Sequence, residues 1–170
     1  MIALHKTRQT RVLYIFSIIA IGALLLVLFL LLRDGPKSVN NSLEDNTYEA
    51  ILKIGSMSIP VTVADTEEEQ QKGLSGTTSL PQDAGKLFIF NTEGDYGFWM
   101  KDMAYSLDIV WIDKNFQIID ITENISPNTY PEVFYPSQKA QYVLELNAGF
   151  STEHNLHKNQ LITLTNILSF

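Results

Sequence analysis

FWMKDMAYSLDIVWID, residues 98–113, is the stretch whose reading decides the fold. Side chains alternate along a strand. In LDIVWID, Leu107, Ile109 and Trp111 therefore share one face, and Asp108, Val110 and Ile112 share the other. Both faces are largely apolar, which predicts a strand covered on both sides. Lys101, Asp102 and Asp108 are out of place in a run that otherwise favours burial. YVLEL, residues 142–146, repeats the problem: Glu145 falls on the face of Val143, opposite Tyr142, Leu144 and Leu146. An ionised carboxylate with no partner is costly in such a layer. Asp108 and Glu145 must therefore be satisfied by neighbours. Lys101 is the expected counter-charge, and the backbone N–H groups of the GDYG and LNAG turns are further donors. Asp102, at a strand end, is expected to face solvent.

Short strands surround this stretch. EAILKIGSMSIPVTVAD predicts strands at 50–54 and 57–64, turned by Gly55-Ser56. Pro60 cannot donate to a ladder, so the second strand should be an edge or bulged there. Thr66 is a predicted N-cap, Glu67 to Glu69 fill a first helical turn, and Gly73 stops a short helix. KLFIF (86–90) and AQYVLEL (140–146) predict further strands. Lys114-Asn115 turns 107–113 back into FQIIDIT. QLITLTNIL is expected to close the sheet, and STEHNLH to form one helical turn. ENISPNTYPEVFYPSQK is a long loop with three prolines, a length at which loops tend to be binding or lid elements. Many short strands and no evident βαβ alternation give an all-β expectation: a compact antiparallel β barrel or sandwich with one or two short helices.

Residues 12–32, VLYIFSIIAIGALLLVLFLLL, carry no charge, and about 20 apolar residues cross a bilayer core. Lys6, Arg8 and Arg11 precede this run, which predicts a single-pass anchor with a cytoplasmic N-terminus and the remainder outside the plasma membrane. The apolar run is too long for a signal peptide and ends without a small-x-small site, so an uncleaved anchor is expected. Residues 33–47 read as a flexible linker, leaving an extracytoplasmic β domain over 48–170. From Asp34 onward there are eight lysines, no arginine and 19 carboxylates, a net charge of −11. That balance disfavours nucleic acid as a partner and leaves cationic ligands, neutral glycans or a basic partner open. With no cysteine, thiolate metal sites are excluded.

Chemical constellations are sparse. Glu153, His154 and His157 have histidines three apart, where the zinc-protease helix needs four, so no metal is expected, and no cofactor either. GLSGT is not a nucleophile elbow. Lys101, Asp108 and Glu145 are the candidate catalytic residues, with the carboxylates as acid or base and the lysine as electrostatic partner. The competing reading is a structural network. Candidate ligand-binding residues are Trp99, Asp102, Tyr130, Phe134 and Tyr135; the loop aromatics would stack on sugars or grip a peptide if exposed, and anchor the loop if buried.

GLSGTTSLPQDAGKLFIF, FWMKDMAYSLDIVWID, ENISPNTYPEVFYP and YVLELNAGF together resemble the bacterial and archaeal family known as domain of unknown function 192, over residues 59–164. The resemblance implies a compact antiparallel β barrel or sandwich. It brings no established activity, and it puts Lys101, Leu107, Asp108, Glu145 and Gly149 at characteristic positions. This chain departs from the pattern: Asp102-Met103 stands where Asn-Thr is usual, Ser106 for a proline, Thr77 for an arginine, Lys86 for a methionine, and Asn159-Gln160 for Gly-Asp. Loss of the arginine removes a natural partner for a buried carboxylate, for which Lys86 is the candidate replacement.

The resulting expectation is a membrane-anchored binding or accessory module at the cell surface, taking a glycan or protein partner. The alternatives are a hydrolase using Asp108 or Glu145 with Lys101, and a structural partner of another membrane protein that meets residues 12–32, where Ala20, Gly22 and Ala23 permit close helix approach.

Overall fold

The computed structural model describes residues 48–165. The predicted membrane segment, the linker before Tyr48 and the last five residues of the chain lie outside the described residues. A seven-stranded sheet dominates, built from β1 (Ala50–Ile54), β2 (Met57–Ala64), β3 (Gly85–Gly94), β5 (Leu107–Ile112), β6 (Ile118–Ile125), β8 (Ala140–Asn147) and β9 (Ile162–Thr165). Its order is β6-β5-β8-β3-β2-β1-β9. A two-stranded ribbon joins β4 (Phe98–Trp99) to β7 (Val133–Phe134). Two short helices, α1 (Glu67–Lys72) and α2 (Phe150–Glu153), complete the fold.

The mostly β character agrees with the sequence, but an antiparallel-only sheet does not. β2 and β3 run parallel, with Val61 opposite Gly85 and Ala64 opposite Phe88. Parallel neighbours need a crossover of a dozen or more residues. The segment from Asp65 to Ala84 supplies it, with α1 inside, so a βαβ unit is present after all. Because α1 is only six residues long, its periodicity is too brief to announce a crossover. Its ends are nonetheless well specified. Thr66 Oγ1 accepts from the Glu69 amide while Glu69 reaches back to the Thr66 amide, a capping box that contributes about 1 kcal/mol. Gly73 ends the helix at φ 51°, where a side chain would be strained. Pro60 falls one residue before the β2–β3 pairing begins, so its missing N–H leaves no gap in that ladder.

The sheet curls into a half-barrel. Its outer strands meet at one end through a bridge between Gln117 and Leu161, and the Ile118 amide donates to the Gln160 carbonyl at 2.9 Å. Side chains from strands far apart in the order therefore share one core: Leu52 and Ile54 of β1, Val110 and Ile112 of β5, Leu144 of β8 and Ile162 of β9, with Phe150 of α2. The opposite face carries a second core of Phe88, Leu107, Ile109, Trp111 and Val143, on which Leu74, Met100 and Phe134 pack. All six residues of β5 are buried, as expected for a strand covered on both faces. Among the described residues no large second sheet lies over the first as in a sandwich; the second face is roofed by α1, the loop after it and the β4–β7 ribbon.

The proline-rich loop is partly ordered into structure that its sequence conceals. Ser126 caps a single 3-10 turn (Pro127–Thr129), and the chain then returns as β7 against β4. Gly97 is required at that approach, since a Cβ there would lie 2.5 Å from the Tyr135 ring and 2.6 Å from Val133.

Candidate functional site

Asp108 and Glu145 stand on neighbouring strands, yet they project to opposite faces. In the β5–β8 register Asp108 is opposite Leu146, while Glu145 is opposite Ile109. Leu146 belongs to the first core and Ile109 to the second, so the two carboxyl groups are separated by the sheet itself. Each answers the burial problem differently.

Asp108 is fully buried and bonded on both oxygens. Oδ1 accepts from the Asn124 amide at 2.8 Å and the Gly149 amide at 3.0 Å, and Oδ2 accepts from the Ser151 amide at 2.8 Å. Gly149 and Ser151 open α2, whose N-cap glycine has no side chain to cap with. Asp108 supplies the cap from β5, the strand beside β8, and it is well placed toward the positive end of the helix. Asn124 marks a bulge. Leu107 pairs with Ile125 and Ile109 with Thr122, so two residues of β6 oppose Asp108 alone. The carboxylate takes up an amide that this bulge would otherwise orphan. The expected LNAG amide is thus a real partner, whereas GDYG is not involved.

Lys101 is not the counter-charge of either acid. It is exposed, and its Nζ sits 5.8 Å from the Trp99 ring centroid, in cation–π range. The conflict between sequence and structure here has a plain cause: β4 leads away from the sheet, and Met100 turns into the second core while Lys101 turns outward. Asp102 is exposed as expected, with φ 55°.

Glu145 is 5% exposed, and its Oε2 is buried without a hydrogen-bond partner. Burial pushes its carboxyl up to about 8, against the opposing charge of Lys86. Lys86 is directly opposite on β3, and no ion pair joins the two. The unusual lysine of β3 is therefore the nearest thing to a counter-charge, as the departure from the family pattern implied. Thr77 plays no such part: its hydroxyl lies 2.6 Å from the Leu74 carbonyl and 2.8 Å from the Tyr105 hydroxyl.

Glu145 lines an open cleft of about 250 Å³ between the second face of the sheet and its roof. Phe88 and Phe90 of β3 line it from the sheet, Glu67, Gln70 and Lys72 from α1, and Tyr96, Phe98 and Trp99 from the approach to the ribbon. Gln70 Nε2 donates to the Ile89 carbonyl at 2.8 Å, which fastens the helical wall to β3. Phe90 and Tyr96 stack with centroids 3.5 Å apart, and Phe88 meets Phe98 edge-on at 4.8 Å. The cleft thus has aromatic sides and one buried, unpartnered carboxyl.

Of the remaining sequence-predicted residues Trp99 lines the cleft, Tyr130 reaches it only through the Trp99 ring, and Phe134 pairs with Phe98 in the ribbon. Trp99 is 48% exposed and Tyr130 46%, their rings edge-to-face with centroids 5.8 Å apart. Tyr135 is exposed, whereas Phe134 is half-buried on the second core and holds the loop down. Asp108 contributes nothing to the cleft. Phe90 and the helical residues were missed by sequence reasoning. The available signal was the alternation of KLFIF, which puts Lys86, Phe88 and Phe90 on one face, but only the β3–β8 register puts Glu145 on that face too. The Glu153, His154 and His157 side chains are exposed, and His154 rests against the Phe150 ring at 4.2 Å.

The model of domain of unknown function 192 (DUF192), described as "Uncharacterized ACR", matches residues 50–164, which holds every strand described except the last residue of β9. The chain belongs to the DUF192 family. Among solved structures, a "putative transcription regulator" from Sinorhizobium meliloti 1021 is similar to this DUF192 chain at 26% identity and TM-score 0.62, covering 67% of this chain and 90% of that one. A protein of unknown function from Novosphingobium aromaticivorans DSM 12444 shares the fold at 23% identity and TM-score 0.63, covering 67% of this chain and 83% of that one. Comparison with curated proteins gives no match. The DUF192 domain is thus placed by fold and family.

Proposed function

We propose that the chain is a membrane-anchored binding module whose DUF192 domain faces the outside of the cell and captures a small ligand, or a protruding part of a glycan or protein, in the cleft beside α1. The single observation that carries this is a concave site with aromatic sides and one convergent, unpartnered carboxyl, the usual make-up of a ligand pocket. Exposed Trp99 and Tyr130 at the rim extend it with rings suited to stacking on sugar or peptide. Anchoring is supported by the 21 uncharged residues at 12–32 and the basic residues before them.

A hydrolase built on Asp108, Glu145 and Lys101 has less support, because the three groups do not converge. Asp108 lies across the sheet from Glu145, and Lys101 is outside on the Trp99 ring.

Two measurements test the reading. Protease added to intact cells is expected to remove the domain; a fully protected domain would overturn the orientation. Retention of the detergent-solubilised chain on immobilised envelope glycans and peptides is expected, and Trp99→Ala should weaken it by about 1 kcal/mol, roughly fivefold, by removing one stacking surface. Retention that is absent throughout the panel, or unchanged by the substitution, counts against a rim-and-cleft site.

A further inference from the structure

The Glu145 carboxyl says which chemistry the cleft accepts. One oxygen is buried and takes no hydrogen bond, although the cleft beside it is open. Leaving a buried polar atom dry is unfavourable, and no side chain of the walls corrects it, although Gln70 has an amide within the same cleft. That amide donates to the Ile89 carbonyl and forms no bond to Glu145. A ligand that brings N–H donors would complete the site.

Two features select the sign of that ligand. The sides carry the aromatic rings of Phe90, Tyr96, Phe98 and Trp99, and ring faces attract cations and not anions. Lys101 already uses this property on Trp99. The chain after Asp34 has a net charge of −11, which raises the local concentration of cations around any opening. The charged groups near Glu145 are Lys86, opposite it on β3 with no ion pair formed, and Glu67 and Lys72 of α1, which line the same cleft and set one acid against one base; β5 presents the apolar Ile109.

From this arrangement, and resting on the reading of the cleft as a ligand site, we infer that it binds a small organic ammonium ion, with the charged head on Glu145 and the apolar body against the stacked Phe90–Tyr96 pair and Phe98. The proton balance is definite. In the empty protein near neutral pH the buried carboxyl holds its proton. On binding, that proton leaves to solvent, the ammonium keeps its own, and a carboxylate–ammonium pair forms. Affinity therefore rises about tenfold per pH unit up to pH 8 and then levels. A neutral ligand using the protonated acid as donor shows the opposite slope above that pH.

The test is calorimetry on the detergent-solubilised full chain with benzylammonium and its neutral counterpart benzyl alcohol at pH 6, 7 and 8, in buffers of differing ionisation heat. The expected result is benzylammonium binding with release of close to one proton at pH 6, an affinity gain of about tenfold from pH 6 to 7, and at least a tenfold preference over the alcohol at pH 8. Glu145→Gln, which copies the shape of the neutral acid, should abolish both the preference and the pH slope; an unchanged melting temperature at pH 4.5 shows that it folds. Benzyl alcohol binding as tightly as the cation, a flat pH profile, or cation binding that survives in Glu145→Gln each overturns the inference while leaving the cleft a ligand site. Absence of benzylammonium binding at millimolar concentration overturns it too, and retention through Trp99 on glycans or peptides then decides the broader reading separately.

Discussion

Glu145→Gln will make the protein more stable at pH 8 and leave its stability at pH 4.5 unchanged. Glu145 has a folded-state pKa raised from 4.5 to about 8, chiefly by burial. Below pH 4.5 both folded and unfolded chains hold the proton, and the group contributes no pH dependence. Between pH 4.5 and 8 the unfolded chain releases it and the folded chain retains it. The unfolded state then binds fewer protons, so stability falls as pH rises through this window and is level again above it. At about 1.4 kcal/mol for each pH unit across the window, the loss approaches about 5 kcal/mol. Glutamine removes the ionisation but keeps the volume, and so should recover most of that difference. Denaturant unfolding of both proteins at pH 4.5, 6 and 8 measures it; curves that run parallel across the window would show that the carboxyl is not held neutral by its surroundings. Shifts of this size cluster at functional sites.

Asp108→Ala is expected to act in the opposite sense. The Asn124, Gly149 and Ser151 amides would lose their acceptor together. Each amide left dry costs about 1–3 kcal/mol, so a loss of at least about 3 kcal/mol is expected. Asp108→Asn keeps one carbonyl oxygen but turns an N–H₂ toward at least one donor, and should fall between. Asp102→Asn, at an exposed position whose φ of 55° both residues tolerate, should stay within about 0.5 kcal/mol. The midpoint of urea unfolding separates these outcomes. If Asp108→Ala falls within about 1 kcal/mol of the parent, the carboxylate does not hold α2 to the β6 bulge.

These two acids also show how far the sequence can be read. Alternation in LDIVWID and YVLEL is enough to see that both are buried and need an explanation, and to put Asp108 with Val110 and Glu145 with Val143. Alternation within one strand says nothing of the register between strands. A lone strand pattern therefore cannot reveal that the acids oppose different neighbours, or that one is saturated with amides while the other has an oxygen with none. Lys101 looks like the partner because it is close in sequence to Asp108, whereas Lys86, far from Glu145 along the chain, is its true neighbour across the ladder. The parallel β2–β3 pair is hidden for a related reason: α1 is too short for its period to register, although Thr66, Glu69 and Gly73 announce both of its ends. The cleft is assembled from four separate segments, and only the aromatic residues of two of them stand out before folding brings the rest alongside.

The bulge in β6 has a consequence for how molecules of this chain behave in each other's company. An eight-residue border strand reading IIDITENI is a natural rail on which a second copy could lay a strand of its own. The extra residue opposite Asp108 bends that rail, Asp120 is occupied by the Ser137 amide and the Lys158 ammonium, and Glu123 by the Thr152 hydroxyl. The border is crooked, charged and already engaged. That discourages self-templated aggregation, a useful property for a domain that the proposed anchor would crowd onto a surface.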